Sequence, residues 1–348
     1  MVFEVICVRP EHFAVNTQDN GYQAEGMRQW QSRPAYWKDR LLRAWDSAAE
    51  ELTRHQGRLI QVPPHQHLPD QCFAADPVIS VQQGDGARFV LPSRMNSPVR
   101  QQEVEPMLNV LQQHRFAVHP TSEKTAGLLH EGTGDFVKLD GYDIYLQGYG
   151  PRSQPGIGRH LTKLVNAPVV EVPLTVEGGG LGSSGLASQA TRGFHADTLL
   201  WGQPNRYLTY CPERLHPATR QFVDWLYNDP WKRQPISGAE ADLFITNGVA
   251  VPSAEHRQGH KLFIPKTTPQ HIRQRFAQWG FGYKPFDFEP SKLAGGGFHC
   301  MFNFVLKVPN AKNAHEGAPW QHPARPYGAL AQVRPQFERQ GINFYGFD

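Results

Sequence analysis

Four cysteines in a chain of 348 residues are too few, and Cys7, Cys72, Cys211 and Cys300 stand too far apart, for a Cys-x-x-Cys pair or the disulfide framework of a small secreted domain. A reducing compartment is the expectation that follows. Long apolar runs are missing as well: no stretch approaches the roughly 20 residues of a bilayer-spanning helix. The opening Met1-Val2-Phe3-Glu4-Val5-Ile6-Cys7-Val8 shows neither a basic leader nor a small-residue cleavage site. The sequence therefore reads as a soluble cytoplasmic protein without a membrane partner. An excess of one charge is also absent. Lys and Arg number 35 and Asp and Glu 32, a formal charge of +3, and no basic cluster marks a nucleic-acid surface. The 16 histidines are scattered. Only His65 and His67 lie close together, and no Cys or carboxylate accompanies them at ligand spacing, so neither a metal site nor a cofactor is expected. The glycine-rich stretch 178–185 lacks the Gly-Lys-Ser/Thr ending of a phosphate loop. Its five glycines and two serines fit a flexible loop, either a lid upstream of His195 or a passive insertion.

What is present is a chain with 39% hydrophobic residues, enough for one large domain or two smaller ones. Apolar spacing predicts helices over 30–52, with Pro34 near its start, and over 101–113, 157–165, 217–227 and 271–279. Short apolar runs predict strands at 2–8, 59–62, 78–81, 88–91, 142–147, 169–174, 206–210, 261–265 and 281–287. Alternation extends this to 194–201, with His195 and Asp197 on one side, and to 243–251, a buried strand turning at Asn247-Gly248. Strand–strand–helix–strand groupings recur at roughly sixty-residue intervals.

Chemistry concentrates in four places. Gly295-Gly296-Gly297-Phe298-His299-Cys300-Met301 brings a thiol to the end of a glycine loop, ahead of an expected strand over 301–308. A lone cysteine beside a strand is more often a small buried hydrophobe, but a thiol given a base or a cationic neighbour becomes a nucleophile. His130-Glu131-Gly132-Thr133-Gly134-Asp135 sets two acids around two glycines, which reads as an acidic site or as a hairpin. Phe194-His195-Ala196-Asp197 supplies an acid/base pair. Phe73-Ala74-Ala75-Asp76-Pro77 supplies a carboxylate that is either a turn former or a cation ligand.

In this order, over residues 5–308, the four motifs resemble those of the guanidine-modifying enzymes: dimethylarginine dimethylaminohydrolases, arginine deiminases and amidinotransferases. The resemblance implies the pentein fold, an α/β five-bladed pseudo-fivefold propeller of ββαβ units. It implies a single catalytic domain over 1–308, with 309–348 as a C-terminal tail. Cys300 becomes the nucleophile, His195 the general acid/base and Glu131 the group that orients it. Asp76, Asp197 and Asp135 become substrate ligands, and Arg152 resembles a position near the substrate; by position alone the loop arginines Arg94 and Arg100 are either solvated charges or a partner for a substrate carboxylate, with Arg100 preferred. The implied activity is hydrolysis of a guanidino C–N bond of arginine or a related small-molecule guanidine through an amidino-thioether. Amidino transfer to an acceptor amine and non-catalytic binding remain the alternatives, and a homodimer is left open. The 178–185 stretch is longer than the connection expected from the resemblance.

Overall fold

One local pattern recurs along the chain: two antiparallel strands, then a helix, then a third strand parallel to the second. The computed structural model describes residues 2–16, 20–142, 144–174, 192–308 and 327–347. In chain order the strands are β1 (Phe3–Val8), β2 (Gly57–Val62), β3 (Val78–Gln83), β4 (Arg88–Pro92), β5 (Ala117–Val118), β6 (Phe136–Leu139), β7 (Ile144–Tyr149), β8 (Val169–Pro173) and β9 (Leu200–Gln203). They continue as β10 (Tyr207–Tyr210), β11 (Arg233–Pro235), β12 (Val249–Pro252), β13 (His260–Pro265), β14 (Gly282–Phe286), β15 (Phe302–Phe304), β16 (Leu306–Val308) and β17 (Asn343–Tyr345).

These strands form five small sheets. In four of them the unit is continuous in sequence: β3-β4-β5 around helix Val104–Gln113, β6-β7-β8 around Gly158–Val165, β9-β10-β11 around Pro217–Leu226, and β12-β13-β14 around Gln270–Trp279. The fifth is assembled from both ends. There β1 runs parallel to β2 across helices Gln23–Ser32 and Pro34–Arg54, while its antiparallel neighbour is β15. Strands β16 and β17 extend the sheets of β3 and β8.

The apolar cores are shared cyclically between neighbouring units. One core joins Ile6 and Ile60 to Val78 and Met107, the next Ile79 and Leu91 to Tyr145 and Leu161. A third joins Leu146 and Val170 to Leu208 and Phe222, and a fourth Trp201 and Tyr207 to Leu262 and Phe276. The last returns from Val251 and Phe263 to Val5 and Trp45. Helix Pro34–Arg54 illustrates the local cause. Pro34 at its first turn presets φ and needs no hydrogen bond there, and Leu41, Trp45, Ala48 and Leu52 fall on one buried face. Burying each of the two leucines contributes about 1.5–3 kcal/mol.

Four sequence expectations change. The strand expected over 194–201 is a short helical turn at Ala196–Thr198 followed by β9. The Thr198 hydroxyl donates to the His195 carbonyl at 2.7 Å, a local bond that competes with extended backbone. The strand over 243–251 is likewise a turn, Ile245–Asn247, before β12, and the strand expected over 301–308 is the pair β15 and β16, Met301 closing the helical turn Phe298–Met301. The segment expected as a surface tail contains helix Tyr327–Glu338 and β17, whose Leu330, Phe337, Ile342 and Phe344 are buried in the core shared with β8. Residues 178–185 lie outside the described residues. Among the described residues no helix is long and apolar enough to cross a membrane.

Candidate active site

In all five units the segment just before the first strand delivers a polar side chain to one place. Asp76 precedes β3, Glu131 and Asp135 precede β6, His195 and Asp197 precede β9, Asn247 precedes β12, and Cys300 precedes β15. Asp76, His195 and Cys300 line a common cavity together with Asn20, Phe73 and Arg152.

Cys300 is buried, and its carbonyl accepts from the Ala75 N–H at 3.0 Å. Asn247 grips it twice: Nδ2 donates to Sγ at 3.2 Å, and Oδ1 accepts from the Cys300 N–H at 3.1 Å. Asp197 Oδ2 lies 3.5 Å from the sulfur. Burial, and then the charges of Asp197 and Asp76, push the thiol well above its ordinary value. The glycine loop behaves as its composition suggests, with Gly295 at φ +90°, a conformation L side chains rarely adopt.

His195 is fully buried, with Nε2 2.8 Å from Glu131 Oε2 and Nδ1 3.7 Å from Asp76 Oδ1. Burial alone would lower its pKa, but Asp76, Asp135 and Glu131 outweigh that and raise it to about 9. For Glu131, burial alone would raise the carboxyl. The Arg152 guanidinium and the His195 hydrogen bond instead hold it well below the usual carboxylate range. The Asn96 N–H donates to its Oε1 at 3.0 Å, and Arg152 Nη1 lies 3.3 Å from Oε2.

The expected substrate ligands fall into two sets. Asp76 and Asp197 each keep one buried oxygen, Oδ1, with no hydrogen-bond partner among the described residues, and His195 Nδ1 is in the same condition. Asp135 differs. Its Oδ2 accepts from Ser153 at 2.6 Å and its Oδ1 from the Ala196 N–H at 3.1 Å, so it anchors the turn behind His195 and is not open to a ligand. Burial raises it to about 7. Arg100 lines the same cavity and is held within it by Asp76 Oδ2 at 2.7 Å and Glu103 Oε2 at 2.9 Å, so that it also orients Asp76. Arg152 lines the cavity with its guanidinium over the Phe194 ring.

Sequence reasoning missed Asn247, read as a hairpin Asn-Gly. The signal that would have found it is position, since it occupies the same place in its unit as Asp76, Asp135, Asp197 and Cys300. It also missed the use of Gly134. A methyl group there would lie 2.6 Å from Asp76 Oδ1 and 2.8 Å from His195 Nδ1, so only glycine lets the two groups approach across it. Gly134→Ala is expected to lower kcat/KM by roughly a hundredfold, the scale of an ångström-sized misplacement. An unchanged kcat/KM would show that the Asp76–His195 approach is unimportant.

The charge on His195 also sets a pH dependence. In the unfolded chain the imidazole titrates near its ordinary value of about 6.5, and burial, outweighed by the three carboxylates, leaves it raised to about 9 in the folded protein. Its contribution to stability is therefore full below pH 6.5, declines as pH rises, and is lost as pH passes 9. Thermal melts across that window should show the wild type losing more Tm than His195→Gln. Equal losses in the two proteins would mean that the folded imidazole carries no proton at neutral pH.

No protein-family model matches this sequence, and no characterised protein matches it by sequence. Solved structures do match in fold. The N-terminal domain of ArgZ bound to substrate, an arginine dihydrolase from the ornithine–ammonia cycle in Cyanobacteria, superposes with a TM-score of 0.66 at 19% identity, over 88% of this chain and 99% of that domain. AgrE in a ternary complex with ornithine and NAD+ gives 0.70 at 22% identity, over 89% of this chain and 40% of AgrE. A dimethylarginine dimethylaminohydrolase adduct with 4-chloro-2-hydroxymethylpyridine gives 0.58 at 15% identity, over 88% and 100%. This chain thus spans about two-fifths of full-length ArgZ and AgrE. The likeness to these arginine dihydrolase and dimethylarginine dimethylaminohydrolase structures is one of fold.

Proposed function

We propose that this chain is a cysteine-dependent hydrolase of the guanidino C–N bond of arginine or a related guanidine. The observation that carries this reading is the set of buried atoms without a hydrogen bond, Asp76 Oδ1, Asp197 Oδ1 and His195 Nδ1, around a buried thiol. Two such acceptors are costly unless a donor arrives, and a guanidinium offers planar N–H groups and positive charge together. The cyclic sharing of cores supports a five-bladed propeller, and the five pre-strand segments would meet at its centre.

In this mechanism the cation settles between Asp76 and Asp197 and offsets the charges that keep the Cys300 thiol protonated, so the thiol proton is released to water. The thiolate attacks the central guanidino carbon and forms the C–S bond. His195, held by Glu131, gives its proton to the departing amine as the C–N bond breaks. The amidino-thioether remains on Cys300. Neutral His195 then takes a proton from water as the oxygen attacks, and collapse breaks the C–S bond, the Cys300 sulfur taking up the remaining hydroxyl proton to restore the thiol and leave a ureido product and a free amine or ammonia.

Incubation with a panel of guanidines, with and without acceptor amines, followed by mass spectrometry of the products tests this. A ureido product formed in water alone is the expected result. Product formed only when an acceptor amine is present would assign amidino transfer, and inertness toward every guanidine would contradict the reading.

A further inference from the structure

A second cavity lies beyond Asp197. It is lined by strand residues, among them Phe136, Leu200, Trp201 and Val249, and by residues of the segments before those strands, among them Asp197 and His299. Cys300 borders the first cavity and His299 the second. His299 is part-exposed, and its Nδ1 is 2.9 Å from Asp197 Oδ2; facing a carboxylate, that nitrogen is the donor. The same oxygen is the one 3.5 Å from Sγ, whereas Oδ1 is the oxygen without a partner. The other charged groups at this cavity, Lys138 and Asp140, pair with each other at 3.3 Å.

An aspartate carboxyl turns readily about its last torsion, which is broad and roughly two-fold. A ligand held by one of its oxygens is therefore aligned only if the other oxygen is fixed from elsewhere. We propose that His299 is a positioning residue for the reaction assigned above: from the second cavity it fixes Asp197 Oδ2, so that Oδ1 is presented to the substrate cation at the angle that sets the guanidino carbon against Cys300. The inference rests on the cation site proposed under function and adds to it a residue that touches neither substrate nor thiol. Loss of His299 leaves the Asp197 charge in place, so the effect falls on alignment rather than on attraction.

The test compares alkylation of Cys300 by 2-chloroacetamidine, a cation, with that by its neutral isostere 2-chloroacetamide, each normalised to a free thiol. Wild-type protein should prefer the cation. His299→Ala should lower that preference about tenfold, the scale of a hydrogen bond to a charged group, and should lower kcat for a guanidine substrate with KM little changed. His299→Asn, whose Nδ2–H stands near the position of the lost Nδ1–H, should recover both to within about threefold. A variant that had merely unfolded would expose Cys300 and react with both reagents as a free thiol does, so its rate with neutral 2-chloroacetamide would rise; His299→Ala should keep the wild-type rate with the neutral reagent and lose rate with the cation alone. A wild type that shows no preference overturns the cation site and this inference with it. A preference that survives intact in His299→Ala overturns this inference alone.

Discussion

Cys300→Ser is expected to abolish turnover, by a factor on the order of 10⁴ or more as for other removed nucleophiles, while the melting temperature moves little. The hydroxyl is nearly the size of the thiol, and the two hydrogen bonds with Asn247, one donated to the side chain and one accepted from the backbone N–H, use groups that serine retains. What it lacks is a reachable anionic form. Burial and two carboxylates already oppose the thiolate at this position, and an alkoxide starts from a far higher pKa. Steady-state assays beside thermal melts decide the matter, since near-wild-type turnover in a folded Ser variant would rule out thiol catalysis.

The second large effect is expected from Asp197→Asn and Asp76→Asn. Each change removes a charge at almost constant shape. Loss of one charge-assisted hydrogen bond is worth about 1.5–3 kcal/mol, which lowers kcat/KM for a cationic guanidine by roughly ten- to a hundredfold. Reactivity toward neutral alkylating agents should move the other way. Both aspartates push the Cys300 thiol up, so removing either one eases thiolate formation and speeds alkylation by iodoacetamide. Asp197→Asn is the cleaner case, because Asp76→Asn also strips Arg100 of one of its two carboxylate partners. Disruption of the fold would also expose the thiol and speed alkylation, so the melting temperature must stay near that of the wild type; an unchanged turnover of cationic substrate in the folded variants would contradict the cation site.

The site residues that could be read from sequence are those whose chemistry is written locally. Cys300 follows three glycines, Glu131 and Asp135 flank Gly132 and Gly134, and His195 lies two residues from Asp197. The order of these motifs along the chain was enough to group them. Their division of labour was not legible, because Asp135 and Arg100 differ from Asp76 and Asp197 only in which partners reach them. Asn247 was hidden by its neighbour Gly248, since an Asn-Gly pair is also a common hairpin signal. The contacts of Asn247 with Cys300 join residues far apart in sequence.

Element types were mostly legible where a helix carries a long amphipathic face, as Pro34–Arg54 does, or where a strand is a short apolar run, as β3 and β13 are. The segments at Ala196–Thr198, Ile245–Asn247 and Phe298–Met301 misled for a shared reason. Each is a short turn whose geometry is fixed by neighbours or by side-chain bonds to backbone, and their apolar content resembles that of the strands they precede. The pairing of β15 with β1 carries no local signal, being a contact between the two ends of the chain. The C-terminal helix Tyr327–Glu338 was obscured by Pro335 within it and by the Pro-, His- and Ala-rich stretch before it.

The central claim is a covalent amidino group on Cys300. The most direct measurement is a rapid acid quench of the enzyme during turnover of a reactive guanidine, followed by proteolysis and mass spectrometry of the cysteine-containing peptides. It should be made on the wild type and on His195→Gln, in which hydrolysis of the adduct lacks its base. The account predicts an amidino mass increment on the Cys300 peptide alone, with Cys7, Cys72 and Cys211 unmodified. Guanidine consumption without an adduct in either protein, or with an adduct on another cysteine, would contradict it.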